Sequence, residues 1–299
     1  MTSEFTVPVA HIDDPSAISM LLTTLRDLHG PGYEFAVGQW GGAAQIVAPP
    51  GAMIYRFLIE TDGAAVYLQA GDQIRGPAPT GPYQRLDDTV ARLTADHCEA
   101  LWPGDVVTAN DESPVTLSGS GAYFEVTVEA TDYCTPRAAF LRNLADYPGG
   151  CAAYPGAFRR EAIPPQRPAQ GAADQRGVNR INEHTLDMRI DRNPTPIRHY
   201  HGPIAVDEGV VVNHSETAIV IPRAVYGLPE VDKPEEGHVL IYRQPATDPT
   251  DTIAIPVRPG SIVVTPATPG NTMGHCFENC FAMLIAIPGF VAPYHMLEE

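Results

Sequence analysis

Twice in this chain a Pro-Gly turn feeds a β-branched strand. Trp102-Pro103-Gly104-Asp105-Val106-Val107-Thr108 is paralleled by Arg258-Pro259-Gly260-Ser261-Ile262-Val263-Val264. Proline presets the turn, glycine allows it to close, and the valines and isoleucines beyond favour a pleated backbone. Ahead of each turn stands a second matching pair. Ala65-Val66-Tyr67-Leu68 followed by Gly76-Pro77 parallels Ala218-Ile219-Val220-Ile221 followed by Gly227-Leu228-Pro229. The same two features in the same order, at comparable spacing, indicate a diverged repeat built from strands.

The rest of the chain agrees with a β protein in two halves. Short apolar runs alternate with Gly, Pro and Asp turns from Gly38 to Asp132, with strands expected at 53–59, 64–68, 105–109 and 123–128. Asp13 to Gly30 reads as a helix, capped by Asp14, opened by Pro15 and carrying Ile18, Leu21, Leu22 and Leu25 at helical spacing. It is expected to lie across a barrel. A second helix is expected from Asp87 to Leu101, capped by the aspartate and closed before Pro103-Gly104. A third, short helix is expected from Thr135-Pro136, carrying Phe140, Leu141 and Leu144. Residues 148–178, with Pro148-Gly149-Gly150 and Pro164-Pro165, read as a linker or an arm. The expected division is an N-terminal domain over 1–147, this linker, and a C-terminal domain over 179–299.

Charge excludes several partners. There are 36 acids against 19 bases in 299 residues, a net charge of −17. Such an excess repels phosphate backbones and anionic lipid, so neither nucleic acid nor membrane is an expected partner. Lys233 is the sole lysine, which makes Schiff-base chemistry an unsuitable reading. No basic leader or apolar run of spanning length is present, and the five scattered cysteines do not form a disulfide framework. The expectation is a protein of a reducing cytoplasm.

The chemistry concentrates in the second half. Arg198-His199-Tyr200-His201-Gly202 places two histidines at alternate strand positions, which share a face. A third, His275, follows the second Pro-Gly strand in Gly274-His275-Cys276-Phe277-Glu278-Asn279. Between them, Asn213-His214-Ser215-Glu216-Thr217-Ala218-Ile219-Val220-Ile221 is an apolar strand with a carboxylate at its mouth. Three imidazoles and one carboxylate suit Fe, Ni, Mn, Cu or Zn. Glu216 lies 15 residues beyond His201; Glu208 is nearer but falls in the turn Val206-Asp207-Glu208-Gly209. The pair His214 and Glu216 also shares a face and stays open as an alternative. Arg223, Tyr242, Arg243 and Phe277 are candidate substrate contacts, the arginines because their fork suits a carboxylate or phosphate. Cys276 and Cys280 read as packing residues.

The order His-x-His, then Glu, then Pro-Gly with a following proline at Pro266, then His275 and Asn279, resembles the cupin superfamily. The resemblance implies an all-β fold of two double-stranded β-helix (cupin or jelly-roll) barrels with a few peripheral helices. It also implies one metal centre, at His199, His201, Glu216 and His275 in the C-terminal barrel. Aligning the Pro-Gly turns sets Gly119 at the place of His275, so the N-terminal barrel is expected to lack metal ligands and to be structural. Dioxygenase chemistry on a small organic molecule is the implied function, with Fe(II) as the metal and Zn, Mn or Ni as alternatives. A metal-dependent sugar or hydroxy-acid isomerase, epimerase or lyase stands beside it, with Glu216, His214 and Tyr226 as proton-moving groups. A non-catalytic binding bicupin is the third reading, and a homodimer is an admissible assembly.

Overall fold

The computed structural model describes residues 7–129, 136–145, 158–163, 187–192, 199–201, 204–207, 210–212, 214–222, 237–244, 252–267, 272–278, 281–287 and 294–296; for several of the later strands it describes the backbone course alone. In the first half the elements are β1 (Val9–His11), α1 (Pro15–His29), β2 (Tyr33–Gly41), β3 (Ala44–Ile46), β4 (Ala52–Leu68) and β5 (Gln73–Arg75). They continue with β6 (Tyr83–Arg85), β7 (Val90–Leu93), β8 (His97–Ala100), β9 (Val106–Asn110), β10 (Val115–Glu129) and β11 (Ala138–Ala139). A short 3-10 turn at Leu141–Asn143 and strand β12 (Phe158–Ile163) follow. The second half contains β13 (Asp187–Arg192), β14 (His199–His201), β15 (Ile204–Asp207), β16 (Val210–Val212), β17 (His214–Ile221) and β18 (Gly237–Gln244). It ends with β19 (Thr252–Val257), β20 (Ser261–Ala267), β21 (Thr272–Glu278), β22 (Phe281–Ile287) and β23 (Tyr294–Met296). The fold class is the all-β, double-barrel class expected.

α1 forms for the local reasons its sequence contains. Asp14 Oδ1 accepts from the amides of Ser16 and Ala17 at 3.1 and 3.0 Å, and Gly30, at φ +69°, closes the helix by donating to Arg26 O. Ile18, Leu21 and Leu25 are buried beneath it.

Two expected helices are strands or turns instead. From 87 to 101 the chain forms β7 and β8. Asp87 Oδ1 takes the amides of Thr89 and Val90, both at 2.6 Å, which reverses the chain instead of starting a helix. Beyond it Ala91 and Leu93 are buried at alternate positions, a period of two. The region after Pro136 gives β11 and only one 3-10 turn. Its backbone donors are taken from outside: Phe140 N–H by Arg75 O and Leu141 N–H by Asp105 Oδ1. Within the expected linker, residues 158–163 form β12, which pairs with β13.

The Pro-Gly part of the repeat is visible in geometry, but the second match is overturned: Ala218–Ile221 answers to the stretch of β4 around Leu58, and not to Ala65–Leu68, which pairs with β8 at the other end of that strand. Gly104 and Gly260 have φ of +91° and +90°, values that an L side chain rarely adopts. Their amides donate to Leu58 O and Val220 O, on β4 and β17 respectively. In each turn the residue after glycine accepts from the first turn amide: Trp102 N to Asp105 Oδ2 at 2.9 Å, Arg258 N to Ser261 Oγ at 3.1 Å. The sheet order β2-β10-β4-β9 in one half therefore corresponds to β13-β22-β17-β20 in the other.

Three apolar clusters follow from strand alternation. Ile54, Leu58, Val66, Val107 and Leu117 point into the N-terminal barrel. Ala218, Val220, Val239, Val257, Val263 and Leu284 fill the C-terminal one. The third lies between the halves, where Tyr55, Phe57, Phe124 and Val126 meet Ile219, Ile221, Met283 and Ile285 beneath α1. β1 reinforces the join, running antiparallel to β20 with Val9 opposite Val263.

Candidate functional site

β17 lies at the centre of its sheet, between β20 and β22. Its odd residues Ile219 and Ile221 belong to the core between the halves, and its even residues Ala218 and Val220 to the C-terminal barrel interior. Glu216 therefore occupies the interior face, 1% exposed, and its strand partners Thr265 and Ala286 are also buried. His214 stands at the next interior position along the same strand, with Ala267 opposite.

The three other predicted ligands lie on the sheet across the barrel, ordered β19-β18-β21-β14-β23. Val239, on β18, is part of the interior cluster, so residue 241 is also an interior position of that strand. Ile241 pairs with His275, and directly paired residues share a face, so position 275 lies on the interior face. β14 runs beside β21 with Tyr200 opposite Gly274 and His201 opposite Met273. Continued by one residue, that register sets position 199 opposite 275. Positions 199, 201 and 275 thus fall on one face of one sheet, the face to which Val239 belongs.

The remaining candidates divide. Positions 243 and 277 are on that interior face, opposite Met273 and Val239 respectively. Tyr242 pairs with Gly274 and belongs to the other face, so the register separates it from the histidine positions. Cys276 pairs with Leu240 on that outer face as well. Arg223, Tyr226, Glu208, Asn279 and Cys280 lie outside the described residues. Among residues whose side chains are described, no group of three or more metal-ligating side chains converges; His199, His201 and His275 are not among these. Gly119, aligned with His275 through the turns, lies at a bulge in β10 with φ +76°, where a Cβ would come within 2.3 Å of Gly63 O. By the correspondence of β4 with β17, the counterpart of Glu216 is Ile54.

One neighbour of the site has no signal in local sequence. His29, at the end of α1, hydrogen-bonds Ser215 Oγ at 2.7 Å, next to Glu216 and 186 residues away in the chain. Its ring packs near Tyr33 and Phe35. The other described N-terminal histidines are also engaged: His11 with Pro259 O at 3.0 Å and His97 with Glu99 at 3.0 Å. No helix among the described residues is long and apolar enough to cross a membrane.

No family model matches the chain, and no curated protein matches it. Solved structures do show similarity. A variant of salicylate 1,2-dioxygenase from Pseudoaminobacter salicylatoxidans is 10% identical with a TM-score of 0.47, over 100% of this chain and 90% of that one. The 7S globulin of Momordica charantia is 11% identical with a TM-score of 0.46, over 92% and 78%. Oxalate decarboxylase of Lactobacillus farciminis, in complex with formate, is 8% identical with a TM-score of 0.45, over 88% and 79%. Two of these neighbours are enzymes and one is a globulin, and at such identities none carries an activity to this chain.

Proposed function

We propose that this protein is a metal-dependent enzyme of the cupin type, a non-haem Fe(II) dioxygenase acting on a small organic molecule. His199, His201, His275 and Glu216 would hold the metal in the C-terminal barrel. The register carries the reading: two sheets, joined by no local sequence signal, set three histidine positions on the face to which Val239 belongs and one carboxylate at a buried strand position. The donor set fits iron, since three imidazoles and a single carboxylate suit a borderline divalent ion and no thiolate belongs to the set. When bound, the iron supplies a redox-active centre at which O₂ and substrate meet.

The chain's own groups have distinct tasks. Val239, Val257 and Leu284 exclude water from the interior. Glu216, enclosed between Thr265 and Ala286, is restricted in its orientation. Position 243 is suited to pairing a substrate carboxylate through its guanidinium, and position 277 to stacking an apolar ring. His214, two residues from Glu216, is the group proposed to move a proton.

The test is metal content per chain, by inductively coupled plasma mass spectrometry after Fe(II) reconstitution, followed by O₂ uptake with a panel of small hydroxylated and carboxylated compounds. About one metal per chain is expected, with most of it lost in His275→Ala and Glu216→Ala and retained in Phe277→Ala. Full retention in both His201→Ala and His275→Ala sinks the site. Turnover by the Zn form without O₂ replaces the dioxygenase with an isomerase or lyase.

A further inference from the structure

We infer that the N-terminal barrel carries a ligand site of its own, centred on Arg56 and Glu125, which takes a neutral molecule with adjacent hydroxyl groups, of the sugar class. This site is independent of the metal centre and lies in the other half of the chain.

Arg56 belongs to the interior face of β4: Ile54 and Leu58 on either side are in the N-terminal barrel cluster, while Tyr55 and Phe57 face the core between the halves. Its Nε and Nη2 both donate to one oxygen of Glu125, Oε2, at 2.8 and 2.6 Å. The two side chains are 10% and 15% exposed. The guanidinium lies 3.7 Å from the centroid of the Tyr123 ring. Gly38 admits that ring, because a Cβ there would stand 2.6 Å from Tyr123 Oη.

The repeat supplies an internal control on whether the fold needs this ion pair. Since Leu58 corresponds to Val220, Arg56 corresponds to Ala218. Arg56 pairs with Glu125, and Ala218 pairs with Leu284. The sister barrel thus fills the same cross-strand position with two apolar side chains, both buried. Withdrawing two charges from water is costly, and an apolar pair serves the fold as well or better. The pair has another use.

The open valences define it. Both contacts to Glu125 use one of its oxygens and one side of the guanidinium. Among the described residues, Arg56 Nη1, Glu125 Oε1 and the Tyr123 hydroxyl have no hydrogen-bond partner. A donor nitrogen of Arg56 and an acceptor oxygen of Glu125 are therefore left over within one ion pair whose guanidinium lies over a tyrosine. A further hydroxyl in this barrel, Tyr83 Oη, is buried with no partner, and its ring packs against the same cluster. The pair cancels its own charge and the protein carries −17, so nothing in the field recruits an anion. A vicinal diol fits: one oxygen accepts from Arg56 while the neighbouring hydroxyl donates to Glu125 Oε1.

The experiment is saturation-transfer difference NMR and isothermal calorimetry on the full chain. The probes are D-glucose, D-mannose, D-galactose and myo-inositol, with acetate and benzoate as anionic comparators. At least one polyol is expected to bind, and to bind at least tenfold more weakly to Arg56→Lys, which keeps the charge and loses the fork, and to Glu125→Gln. His275→Ala should leave the affinity unchanged. Failure of all four polyols to bind overturns the proposal, as does binding that survives both substitutions. Binding of acetate or benzoate alone, lost in Arg56→Lys, overturns the ligand class.

Discussion

Asp105 makes stability depend on pH in a direction opposite to most carboxylates. It is 1% exposed, with Oδ2 accepting from Trp102 N at 2.9 Å and Oδ1 from Leu141 N at 2.8 Å. Burial pushes its carboxyl from 3.8 up to about 7, against the pull of those two amides. Below about pH 4 both folded and unfolded chains hold the proton. Between about 4 and 7 the unfolded chain releases it while the folded chain keeps it, so this group's contribution falls as pH rises. Above about 7 it is level. A displacement of roughly three units, at about 1.36 kcal/mol per unit, sets an upper value of about 4 kcal/mol for the loss. The informative perturbation is Asp105→Ser, which installs the residue found at the equivalent position 261. Serine can still accept from Trp102 N but leaves the Leu141 amide without its acceptor, at a cost of about 1–3 kcal/mol. Asp105→Ser should therefore be the less stable protein at pH 4.5 and should match or exceed the wild type at pH 8. Urea denaturation at half-unit pH intervals, following circular dichroism, measures both curves. Parallel curves across pH 4 to 7 would refute the reasoning, because the titrating group would then be elsewhere.

Two further expectations concern the join between the halves. Gly260→Ala places a Cβ 2.9 Å from His11 Nε2 at φ +90°, whereas Gly42→Ala, at φ +76°, meets nothing within 4 Å. Both should carry a left-handed penalty of about 1–2 kcal/mol, and Gly260→Ala should melt measurably lower by calorimetry; equal melting temperatures would show that β1 yields freely. His29→Ala removes the partner of a fully buried Ser215 hydroxyl, so a loss of about 1–3 kcal/mol is expected by chemical denaturation. An unchanged midpoint would mean that the hydroxyl finds another acceptor or donor.

What the sequence determined by itself was local. Asp14, Pro15 and Gly30 bounded α1, and the two Pro-Gly turns were legible because each is set by its own backbone dihedrals and by hydrogen bonds within three residues. The same local reasoning failed at Asp87, where an aspartate that can cap a helix closed a chain reversal instead. Ala91 and Leu93 then chose a strand because a barrel interior was there to receive them. Alternation also sufficed to put His199 and His201 on one side of a strand. It could not assign position 275 to the same sheet face as 199 and 201, position 242 to the other face, or Glu216 to a buried strand position. Those outcomes depend on which strands pair and in what register, and register is decided by the burial of whole faces between sheets. The pairing of Val9 with Val263 and the contact of His29 with Ser215 are of the same kind. They join residues far apart in the chain, whose approach is favourable only once the apolar surfaces around them have closed.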